Sequence, residues 1–236
     1  MIIFYRKLFV FITVFAAIFN CQLLLAHDDD PLLMHLKLER FEYRKDDDQQ
    51  LTLVDGEAWI GKDLNKFWIK AEAERHDQAT QNAEIQALYS HAMARYWDLQ
   101  VGVRHDSQPK PSRTWGVIGV EGIAPYFFDI GAALFVDEQG NTASKLKTGY
   151  NLLLSQRLIF DASLDATLFG QNDERNGAGL SETELGFRLR YEIFREFAPY
   201  IGISRTKQFG KTAELAYKRG DASVETQWLF GLRVWY

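Results

Sequence analysis

Apolar and charged residues alternate strictly over long runs of this chain, and that leaves few folds open to it. In FWIKAEAER (67–75), Phe67, Ile69, Ala71 and Ala73 alternate with Trp68, Lys70, Glu72 and Glu74. In YFFDIGAALFV (126–136), Tyr126, Phe128, Ile130, Ala132, Leu134 and Val136 fall on one face. In SETELGFRLRYE (181–192), Thr183, Leu185, Phe187, Leu189 and Tyr191 lie opposite Glu182, Glu184, Arg188, Arg190 and Glu192. Successive side chains of a strand point to opposite faces. One face is therefore apolar and rich in aromatics, and the other carries charge of both signs.

The pattern predicts twelve strands, at 34–43, 51–60, 65–75, 82–91, 96–106, 113–124, 126–137, 142–154, 157–170, 179–193, 198–208 and 224–236. Most are longer than the ~5–6 residues usual in soluble sheets and match the ~9–11 needed to cross a bilayer at a tilt. The connections alternate too. RKDDDQQ, HDQATQ, SQPKPS, DEQGN, QNDERNGA and FGKTAELAYKRGDAS are long and polar. GKDL, AMAR, Ala124-Pro125, Ser155-Gln156 and FREF are short. Long loops outside and short periplasmic turns are the signature of an antiparallel up-and-down outer-membrane β-barrel, so an all-β barrel of about twelve strands with both termini periplasmic is the expected fold. A soluble lipocalin-like barrel, apolar inside and polar outside, is the structural alternative.

Residues 1–26 read as a signal peptide: Arg6 and Lys7 precede an apolar run from Leu8 to Phe19, and Ala26 suits a cleavage site. An uncleaved inner-membrane anchor is the rival reading. Asn20 before Cys21 argues against lipidation there. A short acidic leader (27–33) follows, and 34–236 form the barrel. The part after 26 has 25 basic and 32 acidic residues and no cysteine. That excess of acid gives nucleic acid no electrostatic support, and one cysteine in the whole chain excludes a disulfide framework or a cysteine zinc site.

The charged face predicts a lumen lined by Lys70, Glu72, Glu74, Glu84, Arg104, Asp106, Arg188, Arg190 and Arg233. Acidic rings attract cations in a pore, but the interleaved Lys and Arg fit a salt-bridged plug equally well. The final strand, Trp228 to Tyr236, ends on an aromatic residue preceded by apolar residues at alternate positions. Such a strand resembles the closing strand of bacterial outer-membrane barrels, where it is the signal read by the assembly machinery.

Several stretches resemble the outer-membrane copper resistance protein B family. They are DDDPLLMHL (28–36), EAWIGKDLNKFWIKAEAER (57–75), ALYSHAMARYWDLQVGVRHD (87–106), GVIGVEGIAPYFFDI (116–130), GYNLLLSQRLIF (149–160), GAGLSETELGFRLRYEIFREFAPYIGI (177–203) and the final strand. The resemblance implies an outer-membrane protein that binds copper and helps control its passage or sequestration. It also implies contact with outer-membrane lipid and with periplasmic copper-carrying proteins. Family members carry a long Met- and His-rich stretch before the barrel, and here only His27-Asp28-Asp29-Asp30 stands there. Few ions, weakly held or passed on, are expected in consequence.

The candidate ligands for Cu(I) or Cu(II) are His27, Met34, His35, His91, Met93 and His105, because imidazole suits both states and thioether suits Cu(I). His91 and Met93 flank a short turn on the rim that Met34-His35 also occupies, so the four are expected to meet. His105 should face outward near the opposite rim, and a second RHD at His76 lies near that rim. A general small-solute pore or structural barrel is the alternative function. A lipid hydrolase using Ser112 with His105 or His76 is a third, without a recognisable nucleophile motif. No phosphate loop, dinucleotide fingerprint or HExxH occurs.

Overall fold

The computed structural model describes residues 30–45, 50–76, 79–173 and 176–236. The signal segment with Cys21, and residues 27–29 of the acidic leader with His27, lie outside the described residues. Those described form β1 (Leu33–Lys45), β2 (Gln50–Gly61), β3 (Asn65–His76), β4 (Ala79–Ala94), β5 (Trp97–Gln108), β6 (Arg113–Ala124), β7 (Phe128–Asp137), β8 (Thr142–Leu153), β9 (Leu158–Phe169), β10 (Gly179–Tyr191), β11 (Phe197–Gln208), helix α1 (Gly210–Arg219) and β12 (Val224–Trp235). Each strand pairs antiparallel with its sequence neighbours, and β1 pairs with β12 to close the barrel. At the seam the Leu36 amide donates to the Tyr236 carbonyl at 3.0 Å, and the Tyr236 amide returns a bond to Leu36 at 2.8 Å. Closure leaves no unpaired edge.

The alternation sorts the two faces as the sequence predicts. Val103, Ile118, Leu134, Trp228 and Phe230 point outward and are 51–67 % exposed. Glu42, Arg44, Arg188 and Arg190 point inward and are buried. A soluble barrel would expose the second set and bury the first, so the lipocalin-like alternative does not hold.

Three features depart from the expected pattern. Strand β4 starts at Ala79, so most of the expected loop HDQATQ is ladder, with a register shift between Glu74 and Arg75. The long stretch after β11 contains α1, whose end is closed by Gly220 at φ 88°. The Asp221 amide bonds the Ala216 carbonyl there at 2.9 Å, and the Gly220 amide bonds Tyr217 at 3.1 Å. Residue Tyr126 is not part of the β7 face. Pairing begins at Ala124↔Phe128, and Pro125–Phe127 form a single 3-10 turn. Here Tyr126 (φ 66°) and Phe127 (φ 63°) both adopt left-handed backbone, which is strained for aromatic residues, and both rings are more than four-fifths exposed.

Candidate functional site

The lumen is built from the inward half of every strand. On β1 the alternation is broken by a bulge between Leu38 and Arg40. One extra residue in a strand lets two consecutive side chains serve the same face. Glu39 and Arg40 thus both line the lumen, as do Lys37 below them and Glu42 and Arg44 above.

Glu42 is wholly buried and sits at the centre of a network. Its Oε1 accepts from Arg188 Nε at 2.7 Å and from the Tyr200 hydroxyl at 3.1 Å, and its Oε2 accepts from Arg44 Nε at 2.7 Å. Arg44 reaches on to Glu184 at 2.8 Å. Arg40 forms a second centre, with Asp55 at 2.8 Å, Glu72 at 3.8 Å and Asp165 at 3.9 Å. Lys145 lies 3.6 Å from Glu72, and Lys147 lies 3.6 Å from Glu72 and 4.0 Å from Asp55. Strands β2 and β8 are six places apart around a ring of twelve, so the Lys147–Asp55 pair joins opposite walls.

The wall from β4 to β7 is packed differently. Leu88, Trp115, Val117 and Phe135 form a buried apolar cluster inside the barrel. Arg104 lies over the Phe135 ring at 5.1 Å and pairs with Glu84 at 2.7 Å and Asp106 at 2.6 Å. The Trp115 indole donates to Asp106 at 2.8 Å. These layers leave two cavities. One, of about 660 Å³, opens toward the short turns, and one of about 1060 Å³ opens toward the long loops. They meet at Arg40, Glu72, Glu84, Phe135, Lys145 and Asp165.

All nine lumen residues expected from the sequence face these cavities. Lys70 pairs with Glu121 at 2.5 Å, Glu74 accepts from Asn82 at 2.6 Å, and Arg233 pairs with Glu39 at 3.1 Å. The sequence reading missed Arg40, Glu42, Arg44 and Tyr200. The adjacent charges Glu39-Arg40 in an otherwise alternating strand were the available signal of the bulge.

Opening the charged waist has a measurable consequence. In planar bilayers, Arg40→Ala combined with Lys145→Ala is expected to raise conductance roughly threefold or more and to favour cations, since Asp55, Glu72 and Asp165 lose partners. Unchanged conductance would mean that this layer does not restrict the lumen.

The candidate metal ligands lie apart. Met34 and His35 are neighbours on a strand and so occupy opposite faces. Met34 is half exposed on the outer surface, while the His35 ring faces inward beside Trp59 at 6.0 Å, followed by Trp68 at a further 6.0 Å. His91 and Met93 are both exposed at the short-turn end of β4, Met93 by 59 %, and a register shift between Ala92 and Ala94 breaks the alternation between them. Three strand spacings, about 14 Å, separate β4 from β1. The structure therefore does not bring His91 and Met93 together with Met34 and His35.

His91 has a defined environment. Its Nδ1 is 2.8 Å from Asn65 Oδ1, which also accepts the Tyr89 hydroxyl at 2.6 Å. With the Asn65 oxygen as acceptor, Nδ1 carries the proton and Nε2 keeps a free lone pair. His105 faces outward near the long-loop rim, as expected from strand phase, with Nδ1 3.0 Å from Thr114 Oγ1. His76 points inward at the same end. Among the described residues no three His, Cys, Asp or Glu side chains converge to hold a metal ion.

Comparison with known proteins bears on this architecture. The family model described as Copper resistance protein B precursor (CopB) matches residues 32–236. Copper resistance protein B of Escherichia coli is 40% identical over 201 residues, covering 84% of this chain and 68% of that protein. The Copper resistance protein B homolog of Pseudomonas syringae pv. tomato is 35% identical over 210 residues, covering 88% of this chain and 71% of that protein. Among solved structures, the NanC porin superposes with a TM-score of 0.58 at 14% identity, over 86% of this chain and 99% of that one. Outer membrane phospholipase A from Escherichia coli superposes with a TM-score of 0.50 at 15% identity, over 85% of this chain and 92% of that one. At such identities the likeness is one of fold, a closed barrel with an apolar exterior; the family match taken together with that fold places this protein in the outer membrane. The relatives carry the finer assignment: the chain belongs to the copper resistance protein B family.

Proposed function

We propose that this protein serves copper resistance by contacting copper at the periplasmic rim of a barrel whose lumen is crossed by ion pairs, and that it is not an enzyme. The observation that carries the reading is the match to copper resistance proteins over nearly the whole barrel. The Lys147–Asp55 and Arg40–Asp165 pairs across the lumen favour contact and hand-over above free passage of ions.

The favoured contact is the pair His91 and Met93. The two residues lie two positions apart at the exposed short-turn end of β4, with a register shift between Ala92 and Ala94 that leaves Met93 out of the ladder and free to turn its thioether. The Asn65 oxygen holds the ring through Nδ1 and leaves Nε2 available, as the hydrogen-bond partners of metal-bound imidazoles do. Imidazole with thioether suits Cu(I). Two ligands hold an ion loosely, which fits transfer to or from a periplasmic copper carrier at this rim. His27 with Asp28, Asp29 and Asp30 is a second proposed contact, of which His27, Asp28 and Asp29 lie outside the described residues. Against the hydrolase reading, His105 is engaged by Thr114 and not by Ser112.

A strain lacking this chain tests the reading. Wild-type protein is expected to restore growth in copper, and His91→Ala with Met93→Ala to restore it only partly, at similar protein levels in the outer membrane. Growth independent of the chain at every copper level would leave the general-pore reading in its place.

A further inference from the structure

Arg190 stands out among the lumen charges. It is 8 % exposed, yet among the described residues it has no carboxylate within ion-pair distance. Across the ladder it faces Ile159 on β9 and Tyr200 on β11. The nearby carboxylates are committed elsewhere: Asp161 lies 3.9 Å from Arg188, and Glu39 bonds Arg233 and Lys37. Arg190 makes one side-chain hydrogen bond, from Nη2 to Asn151 Oδ1 at 3.2 Å, and Asn151 is itself tied to Asp129 at 3.4 Å. Its Nε has no partner.

Arg233 lies beside it. Arg190 pairs with Tyr200 and Arg233 with Ala198, adjacent inward positions on β11. The two arginines therefore flank one strand, their backbones two strand spacings apart and offset by two residues, about 12 Å. The Nε of Arg233 is also buried without a hydrogen-bond partner. Both side chains line the 660 Å³ cavity that opens toward the short turns.

A buried guanidinium without a counter-charge is unfavourable, and its planar fork matches the paired oxygens of a carboxylate or phosphate. From this geometry we infer that Arg190 and Arg233 form a binding site for a small oxyanion of the carboxylate or phosphate class in the periplasmic half of the lumen. Asn151 positions Arg190 for it. The site owes nothing to copper and stands or falls separately from the copper reading.

Titration calorimetry of the full chain refolded in detergent, without copper and at constant ionic strength in chloride, tests the site with citrate and separately with inorganic phosphate. Saturable binding of either anion is expected, weakened at least about tenfold in Arg190→Gln and in Arg233→Gln. Arg190→Lys is expected to weaken it too, because it keeps the charge and loses the fork. The tighter of the two anions identifies the class. No saturable binding of either anion, or equal affinity in wild type and Arg190→Gln, overturns the inference. Should Arg190→Gln fail to fold, Arg233→Gln carries the same comparison.

Discussion

Replacing Glu42 with alanine is expected to destabilise the folded barrel by about 3–5 kcal/mol, the range found when one partner of a buried ion pair is removed. The carboxylate is fully buried and holds Arg188, Arg44 and Tyr200 together. Without it, among the described residues, Arg44 keeps Glu184, and Arg188 keeps distant contacts to Asp161 and Glu184 near 4 Å and a bond to Ser163. Two guanidinium groups, with side chains 3 % and 7 % exposed, would be left short of counter-charge. Urea unfolding of the refolded protein in lipid or detergent reads the effect. Glu39→Ala is the contrast: that carboxylate lines the open cavity in the middle of the lumen and is 33 % exposed, so a smaller loss, within about 1 kcal/mol, is expected. Equal losses at both positions would mean that the Glu42 network is not a stabilising centre.

The second large effect concerns the outer surface. Ile118 lies at the middle of β6 and is 51 % exposed. At the surface of a water-soluble protein, Ile118→Arg would change stability by no more than about 0.5 kcal/mol. On a lipid-facing strand near the bilayer midplane the same change is expected to cost about 2–4 kcal/mol. Unfolding from lipid bilayers measures this directly. A shift below about 0.5 kcal/mol would place water, not hydrocarbon, against that face.

Both effects depend on which face each residue takes, and much of that was legible in the chain. The twelve strands and the nine lumen charges follow from period two and from the alternation of long and short connections. Three things were not. The bulge at Glu39 shifts the phase of β1, so Glu42 and Arg44 were not assigned to the lumen that they stabilise. Pairs such as Lys147–Asp55 join strands distant in sequence and depend on register and tilt around the closed ring. The Asn65–His91 bond depends on the β3–β4 register.

Other departures were legible in principle. KTAELAYKR followed by Gly220 is a run of helix formers with a glycine stop, which is why α1 interrupts the last long loop. Met34 and His35 are adjacent, and adjacency within a strand already separates them to opposite faces. The strained turn at Tyr126 and Phe127 had weaker signals, since only Pro125 marks the reversal.

The most direct test of the copper reading is an equilibrium titration of Cu(I) into the refolded full chain under anaerobic conditions. Wild type, His91→Ala/Met93→Ala and, as a control, Met34→Ala/His35→Ala would be compared. Loss of one bound ion in the His91/Met93 variant, with the control binding as wild type does, is the predicted result. A His91/Met93 variant that binds as many ions as wild type, with the same affinity, would contradict a copper contact at this rim.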